Sequence, residues 1–327
     1  MRYHVAMSFE DGNGVRRNEK KPPNEYVRQE IARLETSARQ FATEQPETAI
    51  WLHDHFRMIN MRGLRSSFKN VIERAHGNFD PERLVPFERT YVANDGSGYL
   101  SDAETIKIHG PEFVGLENEV HLTGKMATLI DLVCHENAHA IGRIAVSEKG
   151  NMTRYEIGYS VQEGTAATRF DTGILFNEGV TELVSQRVTR EYLIGYPLML
   201  EDGSVLDLET YEHFLDSYHL ERGTTRDYAV ARDFVRVLSM HVAKALSTKP
   251  GLVEDALVAG YFRGTEEFFN DPDFLDGVLG PGFSGQLRSA QTADDLEKII
   301  HEYQMPPIAT LLAERIERLL RKSQERP

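Results

Sequence analysis

Leu132 to Gly142 reads LVCHENAHAIG, with His135 and His139 four positions apart and Glu136 directly after the first. On a helix four positions make about one turn, so both imidazoles leave the same face. Two ring nitrogens so placed can bind a divalent ion, and a carboxylate beside them can move a proton. A catalytic zinc takes about three protein ligands and keeps one position for water, so a third donor is required. Downstream, FNEGVTEL (Phe176 to Leu183) sets Glu178 and Glu182 one turn apart. Two neighbouring carboxylates repel each other unless a cation or a proton donor lies between them. A metal ion would satisfy one, and the N–H of a metal-bound imidazole the other.

The elements that must hold these groups follow from periodicity. Met126 to about Ile144 is expected to be a helix, with Met126, Leu129, Ile130, Val133, Ala140, Ile141 and Ile144 on one arc. The histidines fall on the opposite side, facing a cleft. Asn137 falls within the apolar arc with no evident purpose, and Cys134 reads as a buried small residue rather than a ligand. A second helix, from near Asn177 to about Ile194, repeats the design with Val180, Leu183, Val184 and Ile194 on its apolar face. Residues 1–24, polar and holding Gly12, Gly14, Pro22 and Pro23, read as a flexible arm. From Glu25 to about Ala75 the pattern is helical. Between Val85 and Thr123 the signal changes, and VPFERTYVA, TIKIHG and NEVHLTG read as short strands, as does RYEIGYSVQ (Arg154 to Gln162). The rest reads as mostly helical, over about 207–220, 225–246, 252–262, 292–303 and 308–322.

HENAH followed by NEGVTE resembles the gluzincin group of zinc metallopeptidases, the thermolysin-like architecture. The resemblance covers Met126 to Leu193. It implies one Zn2+ held by His135, His139 and Glu178, with Glu136 as general base. It implies that Glu182 stands behind a ligand histidine and fixes its tautomer. Glu178 follows His139 by 39 positions, a longer interval than in thermolysin-like enzymes. The supporting acid is Glu182, where many gluzincins have Asp. The fold class expected is α+β, mostly helical: a zincin-like domain with a small β-sheet before the histidine helix. Its parts are a helical portion (25–84), a metal-site core (85–194) and a helical C-terminal portion (195–327), forming a single catalytic domain.

In such a site zinc polarises a water and a scissile carbonyl, and Glu136 takes the water's proton and passes it to the leaving amine. An oxyanion donor is also needed. Tyr228 is the choice, with Arg232 one helical turn on; His213, His219, Tyr159 and Tyr211 compete. A peptide or protein substrate would lie along a strand edge, NEVHLTG first and YEIGYSV second.

The remaining sequence narrows the class. A net charge of -14 repels phosphate backbones, which argues against nucleic acid as a partner. No window approaches the roughly 18 apolar residues of a membrane span, and the N-terminus has no apolar signal core. With one cysteine, a cytoplasmic setting is expected, signal-independent export aside. The oligomeric state is left open. Two alternatives accompany general peptidase activity: a specialised regulatory or effector protease with one partner substrate, and an inactive metal-binding scaffold. Three minor features read as structural. His53 and His55, two apart on a helix, are expected at the surface. NDPDFLDG (Asn270 to Gly277) reads as a helix-capping turn rather than a calcium loop. The stripe Ile308, Leu311, Leu312, Ile316, Leu319 and Leu320 reads as a helix docked on the domain rather than a dimer contact.

Overall fold

A computed structural model describes residues 25–77, 79–94, 96–100, 104–114, 122–142, 144–149, 152–164, 169–221, 226–263, 272–308 and 311. The expected N-terminal arm lies outside them.

Three helices come first: α1 (Glu25–Glu44), α2 (Pro46–Met58) and α3 (Met61–Arg74). Pro46 opens α2 where its missing N–H costs nothing, and the Asn60 side chain caps α3 by accepting from the Arg62 and Gly63 amides. A small sheet follows, of β1 (Thr90–Ala93), β2 (Gly98–Leu100) and β3 (Thr105–His109), in the order β1-β3-β2. β1 runs parallel to β3 and β2 antiparallel to it.

The histidine helix α4 spans Leu122–Ile141. Leu122–Gly124 are therefore helical and not part of a strand; the rest of the expected NEVHLTG strand lies outside the described residues. Ile144 belongs to the next strand rather than to the helix. A four-stranded antiparallel meander then forms from β4 (Ile144–Lys149), β5 (Met152–Ile157), β6 (Ser160–Gly164) and β7 (Arg169–Thr172). This meander fills the long interval between His139 and Glu178. RYEIGYSVQ is thus two strands with Gly158 and Tyr159 at the turn. β5 is paired on both sides, so YEIGYSV does not present a free edge.

The second ligand helix, α5, spans Ile174–Gly195. Gly173 precedes it at φ 71, a left-handed conformation that favours glycine, and a Cβ there would stand 2.6 Å from the Tyr159 carbonyl. After it come a short hairpin of β8 (Leu198–Met199) and β9 (Val205–Leu206), then α6 (Leu208–Glu221), α7 (Arg226–Ala245) and α8 (Pro250–Arg263). Three more helices follow: α9 (Pro272–Leu279), α10 (Phe283–Ser289) and α11 (Ala293–Glu302). NDPDFLDG therefore contributes to a helix of its own, beginning at Pro272, and α10 goes unread in the sequence because it is short and holds a glycine.

The described fold is mostly helical with small sheets. One hydrophobic cluster runs from Phe41 to Leu311, and Ile308 packs against it, so the visible start of the C-terminal stripe docks on the domain. At the centre lie α4 and α5, packed on each other; α3, α7 and α8 also cover α5, and α6 covers both. Neither helix has the two-faced character expected of it. His135, Glu136, Asn137 and Ala138 on α4 are all buried, as are Asn177, Thr181, Ser185 and Thr189 on α5. Ile194, placed on the apolar face by the wheel, is 66% exposed because α5 runs out of cover at its last turn. Asn137 has a clear structural purpose: its carbonyl oxygen accepts from the Val85 amide at 2.8 Å, and its amide donates to the Val133 carbonyl at 2.8 Å. It pins the segment entering the first sheet onto α4. Among the described residues no helix is long and apolar enough to cross a membrane.

Candidate metal centre

The α4–α5 packing brings three side chains together. His135 Nε2 lies 3.1 Å from His139 Nε2 and 3.1 Å from Glu178 Oε2. His139 Nε2 lies 3.3 Å from the same carboxylate oxygen. Ligand atoms bound to one tetrahedral zinc at about 2.0–2.1 Å stand about 3.3 Å from one another. The triangle therefore has the spacing of one shared cation, and the two-nitrogen, one-carboxylate set suits zinc.

Behind the triangle, His135 Nδ1 lies 3.0 Å from Glu182 Oε1. His139 Nδ1 lies 3.3 Å from the phenol oxygen of Tyr261, on α8. A ring nitrogen that donates its proton outward leaves the other nitrogen as a lone pair. With both Nδ1 atoms turned outward, the inner atoms are two imidazole lone pairs and a carboxylate oxygen. Three acceptors packed at 3.1–3.3 Å repel one another unless a metal ion or a proton sits among them.

Electrostatics follow the same logic. Burial works against charging His135, but Glu178 and Glu182 outweigh it and hold its pKa well above the ordinary imidazole value. Burial would raise Glu178, yet His139 and His135 hold it far below the usual carboxylate range. Glu182 is likewise lowered: His135, then Arg232, overcome the effect of burial. Glu136 goes the other way. Burial raises its pKa against the pull of His135 and His139, and the repulsion of Glu178 and Glu182 adds to the rise. Its Oε2 is buried with no hydrogen-bond partner among the described residues. An orphaned buried carboxylate oxygen is uncommon in folded proteins and costs stability.

Of the residues singled out in the sequence, His135, Glu136, His139, Glu178 and Glu182 share this one place. Among the oxyanion candidates, Arg232 lies near enough to lower the Glu182 pKa. Tyr228 belongs to α7, with its side chain outside the described residues, as is that of His219. The Tyr159 hydroxyl donates to the Leu257 carbonyl, that of Tyr211 donates to Asp131, and His213 is exposed. Arg232 is buried and paired with Asp233 at 2.9 Å. Cys134 is buried, and burial raises its pKa, keeping it a thiol. His55 corrects the surface reading. It is 1% exposed, its ring centroid 4.0 Å from that of Trp51, while His53 is exposed. Tyr261 was missed in the sequence; at 122 positions from His139, no local spacing marks it.

No protein family, curated protein or solved structure matches the chain.

Proposed function

We propose that the protein is a zinc-dependent metallopeptidase, with His135, His139 and Glu178 holding the ion and Glu136 as general base. One observation carries the reading: two ring nitrogens and a carboxylate oxygen, each within 3.3 Å of the others, converge at the spacing of ligands around one cation. When bound, the ion supplies Lewis acidity and lowers the pKa of its water toward neutrality. The chain's own residues do the rest. Glu182 holds His135 with Nδ1 protonated, leaving Nε2 to the ion. Glu136 has a free oxygen and a raised pKa, so it can take a proton from water and release it to a leaving amine. Ligation alone does not require Glu136, which favours an enzyme over a metal-binding scaffold. On this reading the domain is zincin-like and its substrates are peptides or proteins.

The test uses zinc-loaded protein with casein and a quenched-fluorescence peptide library. Cleavage is expected, abolished by a chelator and restored by zinc. Glu136→Gln is expected to keep its metal and lose hydrolysis by about 10²–10⁴-fold. Undiminished cleavage by that variant removes Glu136 from the mechanism. A zinc-loaded protein that cleaves neither leaves the one-substrate protease and the inactive metal-binding scaffold as the surviving readings.

A further inference from the structure

The two histidines are supported by different chemistry. A carboxylate stands behind His135, and a neutral phenol behind His139. The direction of the hydrogen bonds around that phenol can be worked out. Thr181 Oγ1 donates to the Asn177 carbonyl at 2.8 Å. A hydroxyl has one proton to give. The Thr181 oxygen also lies 3.0 Å from the Tyr261 hydroxyl, so the proton between them comes from Tyr261. Tyr261 then meets His139 with a lone pair, and His139 must donate from Nδ1. Its Nε2 is left bare toward His135 and Glu178, as a metal ligand must be.

The ring bearing this hydroxyl is fixed in place. Tyr261 is fully buried. Gly142, just past the end of α4, and Gly158, between β5 and β6, lie against its two edges. A Cβ on Gly142 would stand 2.8 Å from Cε1, and one on Gly158 2.6 Å from Cε2. Asn177 is itself tied down, its side-chain oxygen accepting from the Tyr159 amide at 2.8 Å. Three elements besides α4 thus converge on a single imidazole: α8, α5 and the β5–β6 turn.

We infer that Tyr261 is a positioning residue of the metal centre: the relay His139 to Tyr261 to Thr181 to the Asn177 carbonyl fixes His139 in the Nδ1-protonated tautomer and aims Nε2 at the cation. The inference rests on the metal reading of the site. It differs from the role of Glu182 in adding no negative charge behind the ligand.

The test measures Zn2+ affinity by competition with a chromophoric chelator, on wild type, Tyr261→Phe, Thr181→Val and Thr181→Ser. Tyr261→Phe keeps the ring and its fit against the glycines and loses only the hydroxyl. A loss of about 10–100-fold in affinity is expected, together with a shifted visible band in the Co2+-loaded protein. Thr181→Val removes the acceptor that orients the phenol and is expected to weaken binding in the same direction. Thr181→Ser restores the hydroxyl and is expected to match wild type. Wild-type affinity in both Tyr261→Phe and Thr181→Val, within twofold, overturns the relay while leaving the metal site standing. A wild type that takes up no zinc overturns the metal reading and the relay with it. Should Tyr261→Phe not fold, the Thr181 pair decides: Val weak and Ser normal supports the relay, and Val equal to Ser overturns it.

Discussion

Two polar clusters lie along the α4–α5 interface, one helical turn apart on α4. In the first, Asp131 Oδ1 accepts from Thr189 Oγ1 at 2.7 Å and from the Tyr211 hydroxyl at 2.6 Å, while Ser185 donates to the Asp131 carbonyl at 2.8 Å. The carboxylate oxygen Oδ1 and the backbone carbonyl of Asp131 there each have donors. In the second, His135, His139 and Glu178 turn acceptors toward one another. Both clusters sit in the packed interior and both contain a carboxylate. The difference lies in donor and acceptor accounting: the first is held by hydroxyl donors of the protein, and the second needs a bound metal ion or an added proton.

The comparison can be broken or sharpened by substitution, taking the largest expected effect first. Glu178→Gln keeps the shape of the third ligand and removes its charge. Zinc affinity is expected to fall by more than about 100-fold, as loss of a ligand should exceed loss of a supporting contact. The metal-free variant is expected to melt lower than metal-free wild type, since it loses the carboxylate charge that faces a protonated His135. A higher melting point would contradict that pairing. Glu182→Gln keeps shape behind His135 but removes charge, and about 10–100-fold weaker zinc binding is expected by chelator competition.

Asp131 offers the converse test. Burial outweighs its hydroxyl donors and pushes its pKa up to about 7 from the ordinary 3.8. A carboxyl raised in this way favours the folded state fully below about pH 4, and that contribution is lost as pH climbs to about 7. Asp131→Asn is expected to flatten wild type's decline across this window by on the order of 4 kcal/mol, roughly 3 kcal/mol of it above pH 5. Denaturant titration of metal-free protein at pH 5 and pH 8 measures it, and metal content should not change. The smallest effect is that of Asn137→Ala, which orphans the Val85 amide: roughly 1–2 kcal/mol of stability, with zinc affinity unaltered.

What was legible in the sequence was local. Spacing of four on a helix placed His135 beside His139 and Glu178 beside Glu182 without knowledge of any distant contact. Partners far along the chain were not legible: Val85 is 52 positions from Asn137, and Tyr261 is 122 from His139. The helical wheel also misled, because it assumes a solvent face. α4 and α5 are buried nearly all round, so polar positions such as Asn137 and Thr181 serve interior hydrogen bonds. The pair His53 and His55 shows the same error in small. Residues two apart on a helix point about 200° apart, so an exposed His53 sends His55 inward onto Trp51. The meander between the ligand helices was half seen, since only RYEIGYSVQ alternates strongly enough to read as extended.

The central claim is that α4 and α5 jointly hold one cation. Elemental analysis of the purified protein, beside Glu178→Ala and after equilibration with zinc and removal of excess, tests it most directly. About one zinc per chain is expected in the wild type and close to none in the variant. A wild type without metal, or a variant that retains the full complement, would contradict the account.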